Sequence, residues 1–302
     1  MVFKHQKTKT LVTRTNGRSA DAISPNFIYG CAGGCMSSYC YVGRFNDSTV
    51  YINDNTEDIL ASIQKWAEIQ AWPKVPNQCD EKYYTVDIGC STDIALHSKH
   101  YDLQKIFTFF NEHPFLKSTF ATKYPDRIDL DKYDINPEKN RIRVSLMPQI
   151  YSHQLEPKTT LIEARIDSIK KLQEKFEVHL NFSPIVYDTG RTNWLTEYQK
   201  LFMLLSCKDV NLPCECIFLT YSDVQAEKAG YIVDGFKHTV DHTTQSDHKR
   251  ELLFPLWIQE TKKSEYGGLN LRYKHEVKNI MVRDFKQIYS DYFPLSNIRY
   301  IF

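Results

Sequence analysis

The stretch Asn26-Phe27-Ile28-Tyr29-Gly30-Cys31-Ala32-Gly33-Gly34-Cys35-Met36-Ser37-Ser38-Tyr39-Cys40-Tyr41 decides how this chain is read. Its first four residues form a short apolar strand that runs straight into a glycine-rich loop holding three cysteines. Three clustered thiolates can hold three corners of a [4Fe–4S] cube, which leaves one iron open to another ligand. Two plainer readings stand beside this one. Structural zinc takes four ligands, usually as two pairs, and no second Cys-x2-Cys or His pair clearly completes such a set. Disulfides belong to oxidising compartments. The polar start Met1-Val2-Phe3-Lys4-His5-Gln6-Lys7 lacks signal-peptide character, so a cytoplasmic location is expected.

Working outward, 302 residues suit one large domain or one domain with a small appendage. Hydrophobic residues make up 42% and charged residues 25%, which is ordinary for a globular chain. No apolar run approaches the ~20 residues that span a bilayer, so no membrane partner is expected. The net charge of +1 argues against general polyanion binding, and any nucleic acid must be held by a local basic groove. Nineteen tyrosines permit stacking on bases, although core packing is their commoner use. Eight cysteines without a secretory signal point to metal or radical chemistry more than to disulfides.

Residues 1–25 are polar and without clear period, and read as an N-terminal arm. After the cysteine loop, Asn55 or Thr56 begins a helix running to about Ala71, with Ile59, Leu60, Ile63, Trp66, Ala67 and Ile69 on its apolar side. Tyr83–Gly89 alternates like a strand. Asp102–His113 is helical, Ser118–Lys123 and Arg141–Met147 are strands, and Thr160–Phe176 is a helix. Glu177–Tyr187, Trp194–Ser206 and Glu215–Tyr221 continue as strand, helix and strand. Such alternation means βαβ units and a parallel sheet. The expected fold is α/β, a partial (β/α)6 barrel over residues 26–225 with a C-terminal extension over 226–302. Sites in such folds lie at the C-terminal ends of the strands. The cysteine loop, following the first strand, falls on that edge. Asp234–Arg250, with His238, His242 and His248, reads as a solvated insertion more than a metal site. A helix over Ile280–Tyr292 and a strand over Ile298–Phe302 close the chain.

With these segments in view, the loop resembles the radical S-adenosylmethionine (SAM) signature, in which an aromatic residue, here Tyr39, precedes the last cysteine. The spacing departs from it: the gaps are three and four residues rather than three and two. Tyr39-Cys40-Tyr41 resembles the spore photoproduct lyase family. So do, in order, Gly89-Cys90-Ser91-Thr92-Asp93, Phe120-Ala121-Thr122-Lys123, Arg141-Ile142-Arg143-Val144-Ser145, Leu155-Glu156-Pro157-Lys158-Thr159 with Ala164-Arg165-Ile166, Phe182-Ser183-Pro184-Ile185-Val186-Tyr187, Leu271-Arg272-Tyr273, and the tail Phe293-Pro294 with Ile298–Phe302. The region before the cysteines is much shorter than that family usually has.

The resemblance implies a radical SAM lyase of the radical SAM partial-barrel type, with a [4Fe–4S] cluster on Cys31, Cys35 and Cys40 and SAM on the open iron. It implies a 5′-deoxyadenosyl radical that reverses 5-thyminyl-5,6-dihydrothymine in DNA to two thymines. Cys90 is the implied hydrogen donor to the product radical; as a plain residue, it is also the kind of thiol that packs as a small hydrophobe. Tyr41 and Tyr39 are implied to return the hydrogen, or else pack over the cluster. Lys123 is implied to hold the SAM carboxylate, with Ser91, Thr92, Asp93 and Ser145 as hydrogen-bonding neighbours. Arg272, Tyr273 and Lys274 combine phosphate-binding and stacking groups suited to DNA, on an expected hairpin. The reduced cluster implies an electron donor such as flavodoxin or ferredoxin. A radical SAM enzyme modifying a thymine-derived base in DNA or a nucleoside remains open, as does a non-catalytic metal-cluster module that binds DNA. Cys207, Cys214 and Cys216 read as core residues, and Cys79 is unassigned.

Overall fold

A computed structural model describes residues 2–33, 40, 49–187, 193–218, 220–222, 258–263 and 269–301. The chain order is β1 (Val2–Gln6), β2 (Arg14–Thr15), β3 (Ala22–Ile23), β4 (Ile28–Tyr29), β5 (Thr49–Asn53), α1 (Thr56–Ala67), β6 (Tyr84–Asp87), α2 (Leu103–Glu112), β7 (Leu116–Thr122), β8 (Asn140–Leu146), α3 (Gln149–Leu155), α4 (Ile162–Leu172), β9 (Glu177–Ile185), α5 (Trp194–Cys207), β10 (Cys214–Phe218), β11 (Thr220–Ser222), β12 (Gln259–Lys263), β13 (Leu269–Tyr273), α6 (His275–Tyr292) and β14 (Ile298–Ile301). The main sheet runs β14-β10-β9-β8-β7-β6-β3-β2. All its pairings are parallel except the edge pair β2–β3. Among the described residues β2 and β14 do not pair with each other, so the sheet is a partial barrel, as the alternation predicts.

The register explains why these strands read as half polar. Thr85 and Asp87 on β6 align with Lys117 and Thr119 on β7. These continue into Arg141, Arg143 and Ser145 on β8, then Glu177, His179 and Asn181 on β9, and Glu215 on β10. All lie on one face, because side chains alternate along a strand. The other face carries Val86, Phe120, Ile142, Val144, Leu180, Phe182 and Cys216, all buried in one apolar core with the helices. The buried charges of the polar face are paired in layers. Lys117 bridges Asp80 (2.9 Å) and Glu177 (2.5 Å). Arg141 meets the same two carboxylates at 2.6 and 2.9 Å. One layer on, Arg143 binds Asp87 on β6 at 2.7 Å and Glu215 on β10 at 3.3 Å.

That last bridge demands curvature. Neighbouring strands lie about 4.8 Å apart, so β6 and β10 would stand about 19 Å apart in a flat sheet. A single guanidinium reaches both only if the sheet curls around it. Glu215 is wholly buried and also takes Arg299 at 2.5 Å and the Tyr300 hydroxyl at 3.1 Å, which adds β14 to the same curl.

The helices follow their apolar periods. α1 buries Ile59, Leu60, Ile63, Trp66 and Ala67, with Glu57 and Asp58 in its first turn. It stops at Ala67, four residues short of the expected end. Asn55 is not an ordinary cap: its side chain binds both backbone groups of Thr8, at 3.0 and 3.1 Å. α2 is capped by Asp102, which accepts from the Lys105 amide at 3.1 Å. α5 and α6 pack through aromatic edges, for example Phe202 against Phe285 at 5.4 Å. α3 is an element the sequence reading left out, and α6 begins five residues before the expected helix.

Two expectations need correction. Residues 1–25, read as an arm, contain three strands. The strand before the cysteine loop, β4, is not part of the barrel; it pairs antiparallel with β5, which pairs in turn with β1. β3 takes the barrel position beside β6. Its anchor is polar, which is why no apolar pattern announces it. The buried Asp21 carboxylate accepts from Lys74 Nζ (2.8 Å), Asn77 (2.6 Å), and the amide (2.8 Å) and hydroxyl (2.9 Å) of Thr85. No helix among the described residues is long and apolar enough to cross a membrane.

Two stability predictions follow from the buried charges. Glu215→Ala strands Arg299 and half of Arg143 without a counter-charge, and should lower unfolding free energy by about 3–5 kcal/mol in urea titrations. Burial, joined by neighbouring cations, holds His113 and His179 near pKa 4 in the folded protein, against the opposing Glu177 bond at His179. In the unfolded chain they titrate near 6.5. The stability they contribute is therefore complete above about pH 6.5 and declines as pH falls towards 4. Thermal melts between pH 7.5 and 4.5 should show Tm falling monotonically across that window; a flat profile would contradict it.

Candidate functional site

The cysteine loop is held at both ends. Tyr29 aligns with Tyr51, and Ile28 with Ile52, where β4 and β5 pair, so residues 30–48 form an excursion with joined feet. At the first foot, Gly30 has φ +93°, a left-handed conformation that suits glycine. Its N–H donates to the Ser91 carbonyl at 3.1 Å, and the Thr92 hydroxyl donates to the Gly30 carbonyl at 2.8 Å. These bonds fasten the loop to the C-terminal end of β6, next to Cys90. The segment there is tight: a Cβ on Gly89 would lie 3.0 Å from Cβ of Phe120.

Cys31 is 6% exposed, and its Sγ accepts the Gly33 amide at 3.3 Å. Burial, with the Asp93 carboxylate and the nearby Cys40 thiol, pushes its pKa up to about 12, against the pull of the Gly33 and Asp93 amides. Such a sulfur is a neutral thiol by itself and becomes a thiolate when it meets a metal. Cys40 is half-buried against the core. Cys35, Tyr39 and Tyr41 lie outside the described residues, as do His238, His242 and His248. Among the described residues no group of three His, Cys, Asp or Glu side chains is placed to hold a metal. Two cysteines brought together, with amide donors on one sulfur, fit the ligand set of an iron–sulfur cluster.

Asp93 ties this end of β6 to β7. It is buried, which raises its pKa, while its donors act the other way. It accepts from the Thr122 hydroxyl (2.7 Å) and the amides of Lys123 (2.8 Å) and Leu96 (3.2 Å). His97 is a residue the sequence reading missed. Its Nε2 accepts the Ala32 amide at 3.2 Å, and burial, then His100, lowers its pKa to about 4, so it is neutral at pH 7. Only a pairing across the fold reveals it; a lone histidine after a strand carries no signal.

The other expected residues are distributed as follows. Cys90 is half-buried at the end of β6. Ser91 and Thr92 bind the cysteine loop by backbone carbonyl and hydroxyl, rather than standing open to a ligand. Lys123 Nζ lies 3.8 Å from Glu156, a buried carboxylate that also holds Arg165 at 2.8 Å. Ser145 is on the inner face of the barrel, where its Oγ accepts Asn181 Nδ2 at 3.3 Å. Asn181 Oδ1 beside it is buried with no partner among the described residues, and so is Arg143 Nε. Unmet polar atoms inside the strand ends fit a polar ligand such as SAM.

The third sheet, β11-β13-β12, places Arg272 and Tyr273 on a hairpin, as expected. Arg272 is held by Glu260 through two nitrogens, at 2.8 and 2.7 Å. Lys274 is exposed at the start of α6. Tyr273 differs from its expected role on the surface: it is 1% exposed, edge-on to Phe218 at 6.5 Å, because β13 turns it into the core. Cys214 and Cys216 are core residues, but Cys207 is exposed, since the last turn of α5 leaves the core before reaching it.

Comparison with known proteins agrees with this geometry. A spore photoproduct lyase from Geobacillus sp. (strain Y412MC61) is 26% identical over 214 residues, covering 68% of this chain and 58% of that protein's own length. Among solved structures, spore photoproduct lyase complexed with dinucleoside spore photoproduct superposes with a TM-score of 0.76 at 20% identity, covering 99% of this chain and 82% of the other. A double mutant of that enzyme with bound AdoMet and dinucleoside spore photoproduct gives 0.74 at 18% identity, with the same coverage. The likeness to the solved structures establishes that the chain shares their partial-barrel fold. The spore photoproduct lyase family profile matches residues 6–302, nearly the whole length, and the chain belongs to that family.

Proposed function

We propose that the protein is a radical SAM lyase that restores two thymines from 5-thyminyl-5,6-dihydrothymine in DNA. One observation carries the reading. The hydrogen bonds Gly30 N–H to Ser91 and Thr92 Oγ1 to Gly30 bring the start of the cysteine loop, next to Cys31, and the segment carrying the separate thiol of Cys90 to one edge of the barrel. Cys31, Cys35 and Cys40 would hold the [4Fe–4S] cluster. Lys123, released from its long contact with Glu156, would pair with the SAM carboxylate, and Ser145 with Asn181 would bind its polar groups. Ser91 and Thr92 act on the cofactor indirectly, through the loop they fasten. Cluster and SAM, when bound, supply a 5′-deoxyadenosyl radical, given one electron from a donor of the flavodoxin or ferredoxin class.

The remaining work belongs to the chain. After hydrogen abstraction from C6 and scission of the bond between the bases, one thymine carries an unpaired electron. Cys90 Sγ gives its hydrogen atom there and becomes a thiyl radical. Tyr41 or Tyr39 is assigned the relay that resets the site: its hydroxyl hydrogen restores the Cys90 thiol, and the tyrosyl oxygen then takes back one hydrogen from 5′-deoxyadenosine. Arg272 and Lys274 offer charge to the phosphates, which position DNA without reading sequence. The buried inner face excludes bulk water, so the radicals meet few other hydrogen donors.

Anaerobic reconstitution should give about four irons and four sulfides per chain, and dinucleotide spore photoproduct should then yield thymine with dithionite and SAM. Stoichiometric zinc, or 5′-deoxyadenosine without thymine, would sink the proposal. Cys90→Ala should keep the cluster and SAM cleavage while thymine recovery falls at least about tenfold, ~1.4 kcal/mol. Loss of iron in that variant would mean the ligands are assigned wrongly.

A further inference from the structure

His97 lies outside every role assigned above, yet it touches the cysteine loop directly. It is 1% exposed. Its Nε2 lies 3.2 Å from the Ala32 nitrogen. A backbone N–H can only donate, so that ring nitrogen is the acceptor and the ring proton sits on Nδ1. Ala32 follows Cys31, so this bond sets the plane of the peptide next to that thiol. The same turn of loop directs the Gly33 amide at Cys31 Sγ.

The ring is itself held from an unexpected direction. Phe3 on β1 stacks on His100 at 4.0 Å, nearly parallel, and meets His97 edge-on at 5.8 Å. All of β1 is exposed, Phe3 included at 36%, so apolar burial does not explain its place. It is carried by backbone pairing with β5, in the register Phe3 to Val50, and by side chains at its far end. Gln6 donates to Asn53 at 3.0 Å, and His5 meets Asp54 at 2.8 Å. β5 is the strand on which the cysteine excursion returns. The strand that closes the loop therefore also delivers the ring that clamps its support.

We propose that His97, clamped by Phe3 of the N-terminal strand, is a positioning residue for the cysteine loop, fixing the Cys31–Ala32 peptide so that the cluster ligands hold one geometry. It rests on the reading of this loop as a cluster site. Hydrogen bonding around cluster sulfurs tunes both retention and electronic structure, so the effect is visible without turnover.

The test uses the full chain, reconstituted anaerobically, as wild type, His97→Leu, His97→Gln and Phe3→Ala. Glutamine keeps an acceptor near the Nε2 position, and Phe3→Ala removes the clamp while the β1–β5 backbone pairing stays. Readouts are iron per chain, the EPR spectrum of the reduced cluster with and without SAM, the rate of iron loss to a chelator, and thermal melts of the metal-free proteins. His97→Leu should lose iron several-fold faster with an altered or heterogeneous spectrum. His97→Gln should return towards wild type, and Phe3→Ala should fall between, with metal-free melts close to wild type for Phe3→Ala and His97→Gln. A His97→Leu protein with wild-type iron retention and spectrum overturns the proposal, as does a His97→Gln protein no better than His97→Leu. Failure of the wild type to take up iron would instead overturn the cluster reading and this inference with it.

Discussion

The Arg143 guanidinium reaches Asp87 on one side and Glu215 on the other, across five strands of the sheet. Most of the structure depends on that bridge. It holds only in a curled sheet, and a curled sheet has an inside. The inside is polar because the alternate residues of β6 to β10 are polar, and it stays folded because each buried charge in the layer has a counter-charge. Removing one member leaves an unpaired charge in a low-dielectric interior, which costs far more than the pair contributes against apolar replacements. The helices cover the apolar outer face, so among the described residues the two ends of the barrel are what stays open to a ligand. Beyond Arg143 and His179, towards the C-terminal end, the next inward residues of β8 and β9 are the uncharged Ser145 and Asn181.

The cysteine loop meets the barrel at that end. Its feet are joined by the β4–β5 pair, and Gly30 is bolted to Ser91 and Thr92. This arrangement bears on the two additional residues before Cys40. For an excursion whose ends are already together, lengthening by two residues costs only about 0.1 kcal/mol in closure entropy. The described start of the loop is held instead by local bonds, those from the Gly33 amide to Cys31 and from the Ala32 amide to His97. The three-stranded sheet β1-β5-β4 thus joins the feet of the loop, and the N-terminal strand is paired into that sheet.

Much of the barrel was legible. Ile59, Leu60 and Ile63 announced α1, and Leu103, Ile106, Phe107 and Phe110 announced α2, because helix burial repeats along the chain. The strands β7 to β10 were found, and so was the edge to which the segment before Cys31 attaches, the end of β6, where Gly30 bonds Ser91 and Thr92. What escaped detection is held by polar contacts between distant segments. β3 is anchored by Asp21, β1 by pairing with β5, and His97 by a bond to a backbone amide 65 residues earlier. Tyr273 and Cys207 were misplaced for a related reason: which face of β13 points inwards, and where α5 leaves the core, depend on neighbours rather than on local period.

The sequence by itself determined the cysteine trio, the strand–helix alternation and the ordered segments of its family, since each is a local pattern of residue types. Only the tertiary structure decided which strands form the barrel, that Ser91 and Thr92 bind the loop, and that Glu156 faces Lys123. The physical reason is that hydrogen bonds and buried ion pairs are short-ranged and directional. Their partners are chosen by where the folded backbone places them, and that choice leaves no periodic trace along the chain.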